Sequence, residues 1–167
     1  MQKILVTLTM VLASVANAKV IPIAQCGETA GYSYYPAFAQ EKTFKEKAAE
    51  QVLGRSLIPE SWVQDGFKNS NITLVQTLNG NLDLLIYNNP RKETFSTADD
   101  GGKIHLLRNN FEEIVVLVIY PTLTEIYTFF KTKDGNKVSI LSSKNNMSIR
   151  TSMFTGSCSF VGFNTIK

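Results

Sequence analysis

The chain has 167 residues, a formal net charge of +3, 44% hydrophobic residues and two cysteines. Its length suits one domain with a core of its own. Lysines and acids are interleaved along it without the basic run that binds phosphates, so the charge pattern argues against a nucleic-acid partner.

The first eighteen residues are typical of a secretory signal peptide. Lys3 precedes an apolar stretch over residues 4–15, and residues 16–18 form the small-x-small site that signal peptidase accepts. Cleavage there removes one positive charge, which leaves residues 19–167 as a single β domain with a net charge of +2. No later apolar run approaches the roughly 20 residues of a spanning helix, so we expect no membrane span after cleavage. The sequence therefore predicts a periplasmic or secreted protein.

Both cysteines lie beyond the predicted cleavage site. Export places Cys26 and Cys158 in an oxidising compartment, where two thiols can form a lasting bridge. Two cysteines allow a single intramolecular pairing, which would join the two ends of the domain. Two unpaired buried thiols, or a bridge between two chains, are the alternatives. We expect the internal disulfide.

The first part of the predicted domain combines an aromatic arm with a short helix. Residues 19–40 are rich in Gly, Pro and aromatic side chains and lack a clear period, which indicates an extended arm lying against the domain. Residues 43–53 begin with the Thr43–Glu46 capping box and end before Gly54, and their apolar residues recur at helical spacing. This segment is predicted to be an amphipathic helix that covers an opening or an edge of a sheet.

From Pro59 onward the chain has the texture of strands and turns. Asn79-Gly80 and Asp134-Gly135 are strong hairpin signals, and Thr155-Gly156 is interpreted as a further turn. About eight strands are expected, at 72–78, 82–87, 103–107, 114–120, 125–131, 138–141, 149–154 and 158–163. Short connections at regular spacing predict an all-β fold with one short helix. Its expected form is an antiparallel meander that makes a small lipocalin-like barrel or a sandwich.

The densest aromatic cluster supplies the candidate binding residues. Tyr32, Tyr34 and Tyr35 lie in the arm, and Trp62 precedes a turn at Asp65-Gly66. Rings in an irregular segment can line a ligand pocket, because they offer apolar area with a polar tip. Packing of the arm against the core explains the same residues, and Trp62 is expected to anchor its turn on the core.

No catalytic or metal-binding motif stands out. His105 is the single histidine, and it alternates with apolar neighbours, as a structural or surface residue on a strand does. The run at 99–102 contains two acids and two glycines but lacks the spacing of a calcium loop, so a solvent-exposed turn is expected. The sequence predicts no catalytic residue, no metal and no cofactor, and it favours a protein that is not an enzyme.

Several short motifs resemble those of a group of small exported proteobacterial proteins. They follow the pattern CG…GYxYY…WxxDG…GxC, carried here by Cys26-Gly27, residues 31–35, residues 62–66 and residues 156–158. The helix at 43–53 is an addition to that pattern. The group has no established activity, so the resemblance implies an exported domain and no particular chemistry.

Three functional hypotheses follow from these patterns. The first is a monomeric, non-enzymatic binding module for a small apolar ligand or an envelope protein, which uses the aromatic arm and the barrel mouth. The second is a hydrolase of envelope polymers that uses two paired carboxylates. Its candidate acids are Asp65, Asp83, Asp99, Asp100 and Glu125. The third is an inhibitor or immunity protein, which predicts a flat or protruding exposed patch in place of a cavity.

Overall fold

The computed structural model describes residues 20–36, 61–88, 92–145 and 149–166. The predicted signal peptide and the predicted helix at 43–53 lie outside these ranges. The described residues form ten β-strands and no helix. The strands are β1 (Val20–Tyr35), β2 (Ser61–Asp65), β3 (Asn71–Thr77), β4 (Leu82–Asn88), β5 (Glu93–Ser96), β6 (Lys103–Asn109), β7 (Glu113–Ile119), β8 (Leu123–Thr132), β9 (Gly135–Lys144) and β10 (Arg150–Val161).

All ten strands belong to one curled antiparallel sheet that forms a half-barrel. Nine of them follow the order β5-β4-β3-β1-β10-β9-β8-β7-β6, and β2 pairs with β1 beside this path. The predicted all-β meander is thereby confirmed. The residues predicted to be an irregular arm supply β1, a sixteen-residue strand near the middle of the sheet. On one edge β1 pairs with β10. On its other edge β3 pairs with residues 20–26 and β2 with residues 31–35.

The odd number of strands along this path explains why its two ends do not pair and the sheet stays open. Each step along the nine-strand path is antiparallel, so its two end strands, β5 and β6, run in the same direction. They could close the sheet only as a parallel pair, which needs a crossover of a dozen or more residues. Residues 97–102 provide six, and they form a turn in which the Gly102 amide donates to the Thr97 carbonyl at 2.8 Å.

The concave face of the sheet carries the hydrophobic core. Strands β7, β8 and β9 alternate between fully buried and partly exposed positions, as expected where one face of a sheet covers the interior. Large side chains from six strands fill this interior. Those that are almost completely buried are Ile23, Ile72, Leu74, Leu84, Ile114, Val116, Val118, Tyr127, Phe129, Val138 and Ile140.

Cys26 and Cys158 form the predicted disulfide, with a sequence separation of 132 residues. The two residues lie directly opposite each other in the β1–β10 ladder. Irregularities in that ladder flank the bridge on both sides, and β1 has one extra residue between Cys26 and Thr29. Because side chains alternate along a strand, this bulge changes which positions of β1 face the core. Cys26 faces inward before it, and Thr29 and Ser33 face inward after it.

One predicted turn is wrong. Thr155-Gly156 was expected to separate two strands, but both residues lie inside the twelve-residue strand β10. Gly156 pairs with Thr29, and a Cβ at this position would lie 2.7 Å from the Glu28 carbonyl oxygen. The glycine is therefore needed for close approach of two strands beside the bulge and makes no turn. The hairpins at Asn79-Gly80 and Asp134-Gly135 form as predicted, with φ of 83° at Gly80 and 112° at Gly135.

In the described part of the chain, no helix is long and apolar enough to cross a membrane.

Candidate functional site

Three of the four predicted binding residues lie together on the outer face of the sheet. Tyr34 and Trp62 are opposite each other in the β1–β2 ladder, and their ring centroids are 5.3 Å apart. Trp62 is 60% exposed and Tyr32, two positions along β1, is 53% exposed. The expectation that Trp62 anchors a turn on the core is therefore wrong. Tyr35 points to the opposite face, where its hydroxyl lies 3.5 Å from Nη1 of Arg150.

The exposed rings continue into apolar side chains of the neighbouring strands. Tyr32 is directly opposite Met153 of β10, which is opposite Leu141 of β9, and both are about half exposed. We call Tyr32, Tyr34, Trp62, Met153 and Leu141 the outer patch. It forms an apolar surface across four adjacent strands.

Tyr32, Met153 and Leu141 lie in one register row of the sheet, and the two neighbouring rows contain no charged residue on β10, β9 and β8. One neighbouring row continues from Tyr34, and the other continues from Ala30. Their members on those three strands are Thr151, Ser143, Thr124, Thr155, Ser139 and Thr128. A large uncharged surface with aromatic side chains, a methionine and neighbouring hydroxyls has the composition of a recognition surface.

The structure also contains an open groove of about 1030 Å³, beside the bulge in β1. Its apolar walls include Phe67, Tyr87 and Phe95, and Glu28 and Lys68 contribute opposite charges. This size is at the upper end of the range of small-molecule sites. None of the four predicted binding residues is among its described lining residues, so these aromatic side chains and the groove are separate features.

A buried polar row crosses the concave face at one level of the sheet. Glu125 of β8 is opposite Ser142 of β9, which is opposite Ser152 of β10, which is opposite Ser33 of β1. All four side chains are at most 6% exposed. The Ser33 hydroxyl lies 2.6 Å from the Ser152 hydroxyl and donates to Oδ2 of Asp65 at 2.7 Å. Buried polar groups need such partners, and here they find them across strands.

Glu125 is the titratable group of this row. Burial raises the pKa of its carboxyl, while hydrogen bonds from Tyr127 and Ser142 and the positive charge of Arg150 oppose the rise. The Tyr127 hydroxyl donates to Oε2 of Glu125 at 2.8 Å. Burial, together with the neighbouring Glu125 carboxyl, raises the pKa of Tyr127 well above its ordinary value. The ionised form of Glu125 is therefore disfavoured in the folded protein.

The variant Glu125→Gln is expected to be more stable than the wild type at neutral pH. The unfolded chain ionises Glu125 at its ordinary pKa, whereas the folded chain keeps the proton to higher pH. Wild-type stability is therefore fully present below the ordinary pKa and falls as the pH rises through the raised pKa. Thermal unfolding from pH 3 to 8 should show a gain of a few degrees at pH 7 that disappears near pH 3. A gain that is the same at every pH would contradict this assignment.

The acids proposed for hydrolysis have different surroundings. Asp83 accepts hydrogen bonds from the Ser96 hydroxyl at 2.5 Å and from the Leu84 and Ala98 amides, so it orders the turn after β5. Asp99 and Asp100 are exposed in that turn, as the sequence predicts. Asp65 and Glu125 both interact with the Arg150 guanidinium, which lies 3.7 Å from Asp65 Oδ2. Among the described residues, no group of three or more His, Cys, Asp or Glu side chains could hold a metal ion.

Sequence reasoning missed the part of the outer patch that lies on β9 and β10. Met153 and Leu141 belong to segments where apolar residues are mixed with Ser and Thr, and that pattern does not say which strand lies opposite. The contact between Tyr34 and Trp62 depends on ladder register in the same way. His105 is exposed on the same outer face, where it lies opposite Leu117.

The chain matches no protein-family profile, no curated protein sequence and no solved structure.

Proposed function

We propose that this protein is an exported binding module whose outer patch receives a protein partner in the periplasm or outside the cell. Export is supported by the signal-like residues 1–18 and by the Cys26–Cys158 bridge, which persists in oxidising compartments. The proposal depends most on one observation, the uncharged cluster of the exposed Tyr32 and Trp62 with the half-buried Tyr34.

The composition of the outer patch supports a protein partner. Interface centres are enriched in Trp, Tyr and Met and depleted in charge, and a few such residues supply most of the binding energy. Tyr and Trp offer large rigid contact areas, while neighbouring hydroxyls such as that of Thr151 adapt their hydrogen bonds to the partner. In the described part of the chain, core side chains such as Tyr127 and Phe129 occupy the interior, which favours the outer surface.

Two alternative functions also have support in the structure. The open groove beside the β1 bulge supports a second candidate function, the binding of a small amphipathic ligand between Phe67 and Phe95. An inhibitor or immunity protein would also use an exposed patch. This alternative therefore specifies the kind of protein partner and uses the same outer patch.

The outer patch can be tested by capture from envelope extracts of the source organism. We expect the immobilised wild-type protein to retain one protein from the extract, in an amount that rises with the concentration of that protein. Trp62→Ala should reduce the captured amount at least about tenfold, because truncation of a central tryptophan costs 2 kcal/mol or more at an interface. Phe160→Ala is the matched control, since Phe160 is 46% exposed but lies seven residues from Met153 on the same strand.

Two outcomes would contradict the outer patch. One is capture that is equal for the wild type and Trp62→Ala. The other is a protein that copurifies with a small molecule whose binding depends on Phe67 or Phe95, because that result assigns the function to the groove.

A further inference from the structure

The edge strand β6 is a second candidate for recognition, independent of the outer patch. β6 pairs with β7 on one edge and ends the sheet, so its other edge has no strand partner within the described residues. A free edge presents backbone amides and carbonyls in the pattern that another strand can pair with. β5 cannot supply that strand, since it runs in the same direction as β6 and is joined to it by only six residues. β4 approaches β6 but forms no ladder with it.

Apolar side chains are unusually exposed along this edge. Leu106 is on the core face, directly opposite the fully buried Val116, yet it is 41% exposed. Leu107 is the extra residue of a bulge and is 55% exposed, and Phe111 in the following turn is 77% exposed. Among the described residues, the interior therefore ends at Leu106 without a neighbour that covers it.

Hydrogen bonds order the turn after β6 that carries Phe111. The side-chain oxygen of Asn110 accepts hydrogen bonds from the Glu112 and Glu113 amides, both at 2.8 Å. The Asn110 amide donates to the Glu113 carbonyl at 3.0 Å, and the guanidinium of Arg108 pairs with the Glu113 carboxylate. An apolar side chain on an ordered turn beside a free edge is suited to anchoring an incoming segment, because no backbone conformational entropy of the turn is lost on binding.

The charges of β6 distinguish between possible occupants. The strand carries Lys103 and Arg108 and no acid. Arg108 is already paired with the Glu113 carboxylate, so Lys103 is the charge that an added strand would meet. Pairing of residues 103–106 with the same residues of a second copy supplies no acid opposite Lys103, whereas a segment that carries acids does.

We infer that the free edge of β6 accepts an extended, acidic and apolar segment of a partner protein, paired antiparallel to residues 103–106. This is recognition by strand addition, in which main-chain hydrogen bonds provide affinity and alternate side chains provide specificity. The apolar side chains of the segment cover Leu106, and its acids lie near Lys103. The bulge at Leu107 ends the regular pairing, and Phe111 contacts the segment beyond it.

The test uses a fluorescein-labelled eight-residue peptide that alternates valine with glutamate, titrated with the full mature protein. We expect saturable binding by fluorescence anisotropy. Two further peptides carry N-methyl groups on alternate amides, so that each blocks one edge of the strand. One of the two should bind at least about tenfold more weakly, since two or more hydrogen bonds are lost, and the other should bind like the parent.

Protein variants then place the peptide on β6. Leu106→Glu should weaken binding at least about tenfold, because it places a charge against the valine side chains of the peptide that would otherwise cover Leu106 on the core face. Leu141→Glu is the matched control, since Leu141 is 47% exposed on the outer patch, and it should bind like the wild type. Trp62→Ala should also leave this binding unchanged, which separates the result from the test of the outer patch.

The inference is overturned by no binding at millimolar protein, by equal binding of both methylated peptides, or by wild-type binding of Leu106→Glu. Dimerisation of the mature protein that Leu106→Glu abolishes would assign the edge to a second copy and would also overturn it.

Discussion

The variant Gly31→Ala is expected to lose at least about 3 kcal/mol of stability, or to fail to fold. Gly31 lies in β1 between β2 and β10, opposite Asp65 on one side and Phe154 on the other. A Cβ there would lie 1.9 Å from the Met153 carbonyl oxygen and 2.8 Å from the Phe154 Cα. Both atoms belong to the backbone, so no side-chain rotation can relieve the contact, and the strands must separate.

Gly27→Ala is the matched control for this prediction. Gly27 is in the same strand, but a Cβ there would have no heavy atom within 4 Å, so the substitution should change stability by no more than about 0.5 kcal/mol. Urea unfolding followed by circular dichroism measures both variants. A Gly31→Ala protein with the wild-type midpoint would show that β1 does not approach β10 as closely as described.

Removal of the disulfide is expected to have a comparable effect. The bridge between Cys26 and Cys158 closes a loop of 132 residues. Chain entropy for a loop of that length corresponds to about 5 kcal/mol, which is a large part of the 5–15 kcal/mol of a typical domain. The double variant Cys26→Ala/Cys158→Ala should therefore unfold at much lower urea concentration than the oxidised wild type.

Reductant provides the control for the bridge. It should lower the unfolding midpoint of the wild type towards that of the double variant and leave the double variant unchanged. Equal midpoints for the oxidised wild type and the double variant would contradict a stabilising role of the bridge. Because the two cysteines are direct partners in the β1–β10 ladder, the loss should reach the centre of the sheet.

Local sequence signals predicted the strands that end in well-defined turns. Asn79-Gly80 and Asp134-Gly135 produce hairpins through residues that tolerate positive φ, and the two cysteines left one pairing within the chain. The same reasoning failed at Gly156, because a glycine required for close contact with Glu28 has the same sequence appearance as one required for a turn. Strand β1 was not predicted in the aromatic segment, because the bulge in β1 interrupts the alternation of side chains that marks a strand.

The candidate site could be predicted only in part, because the pairing between distant strands has no local sequence signal. The sequence singled out Tyr32, Tyr34, Tyr35 and Trp62 as aromatic candidates. The contact of Tyr34 with Trp62, the position of Tyr35 on the other face and the addition of Met153 depend on pairing between distant strands. Register between strands is set by the whole sheet, and a shift of one residue would turn every side chain to the other face. The buried row from Glu125 to Ser33 depends on register across four strands and has no local signal.

Site-specific photocrosslinking in the source organism tests the central proposal most directly. A benzophenone amino acid replaces Leu141 in the outer patch or, as the control, Phe160, which is equally exposed. The proposal predicts a discrete protein adduct from position 141 that disappears when Trp62→Ala is added, and none of the same mass from position 160. No adduct from position 141, or the same adduct from both positions, would contradict a protein partner at the outer patch.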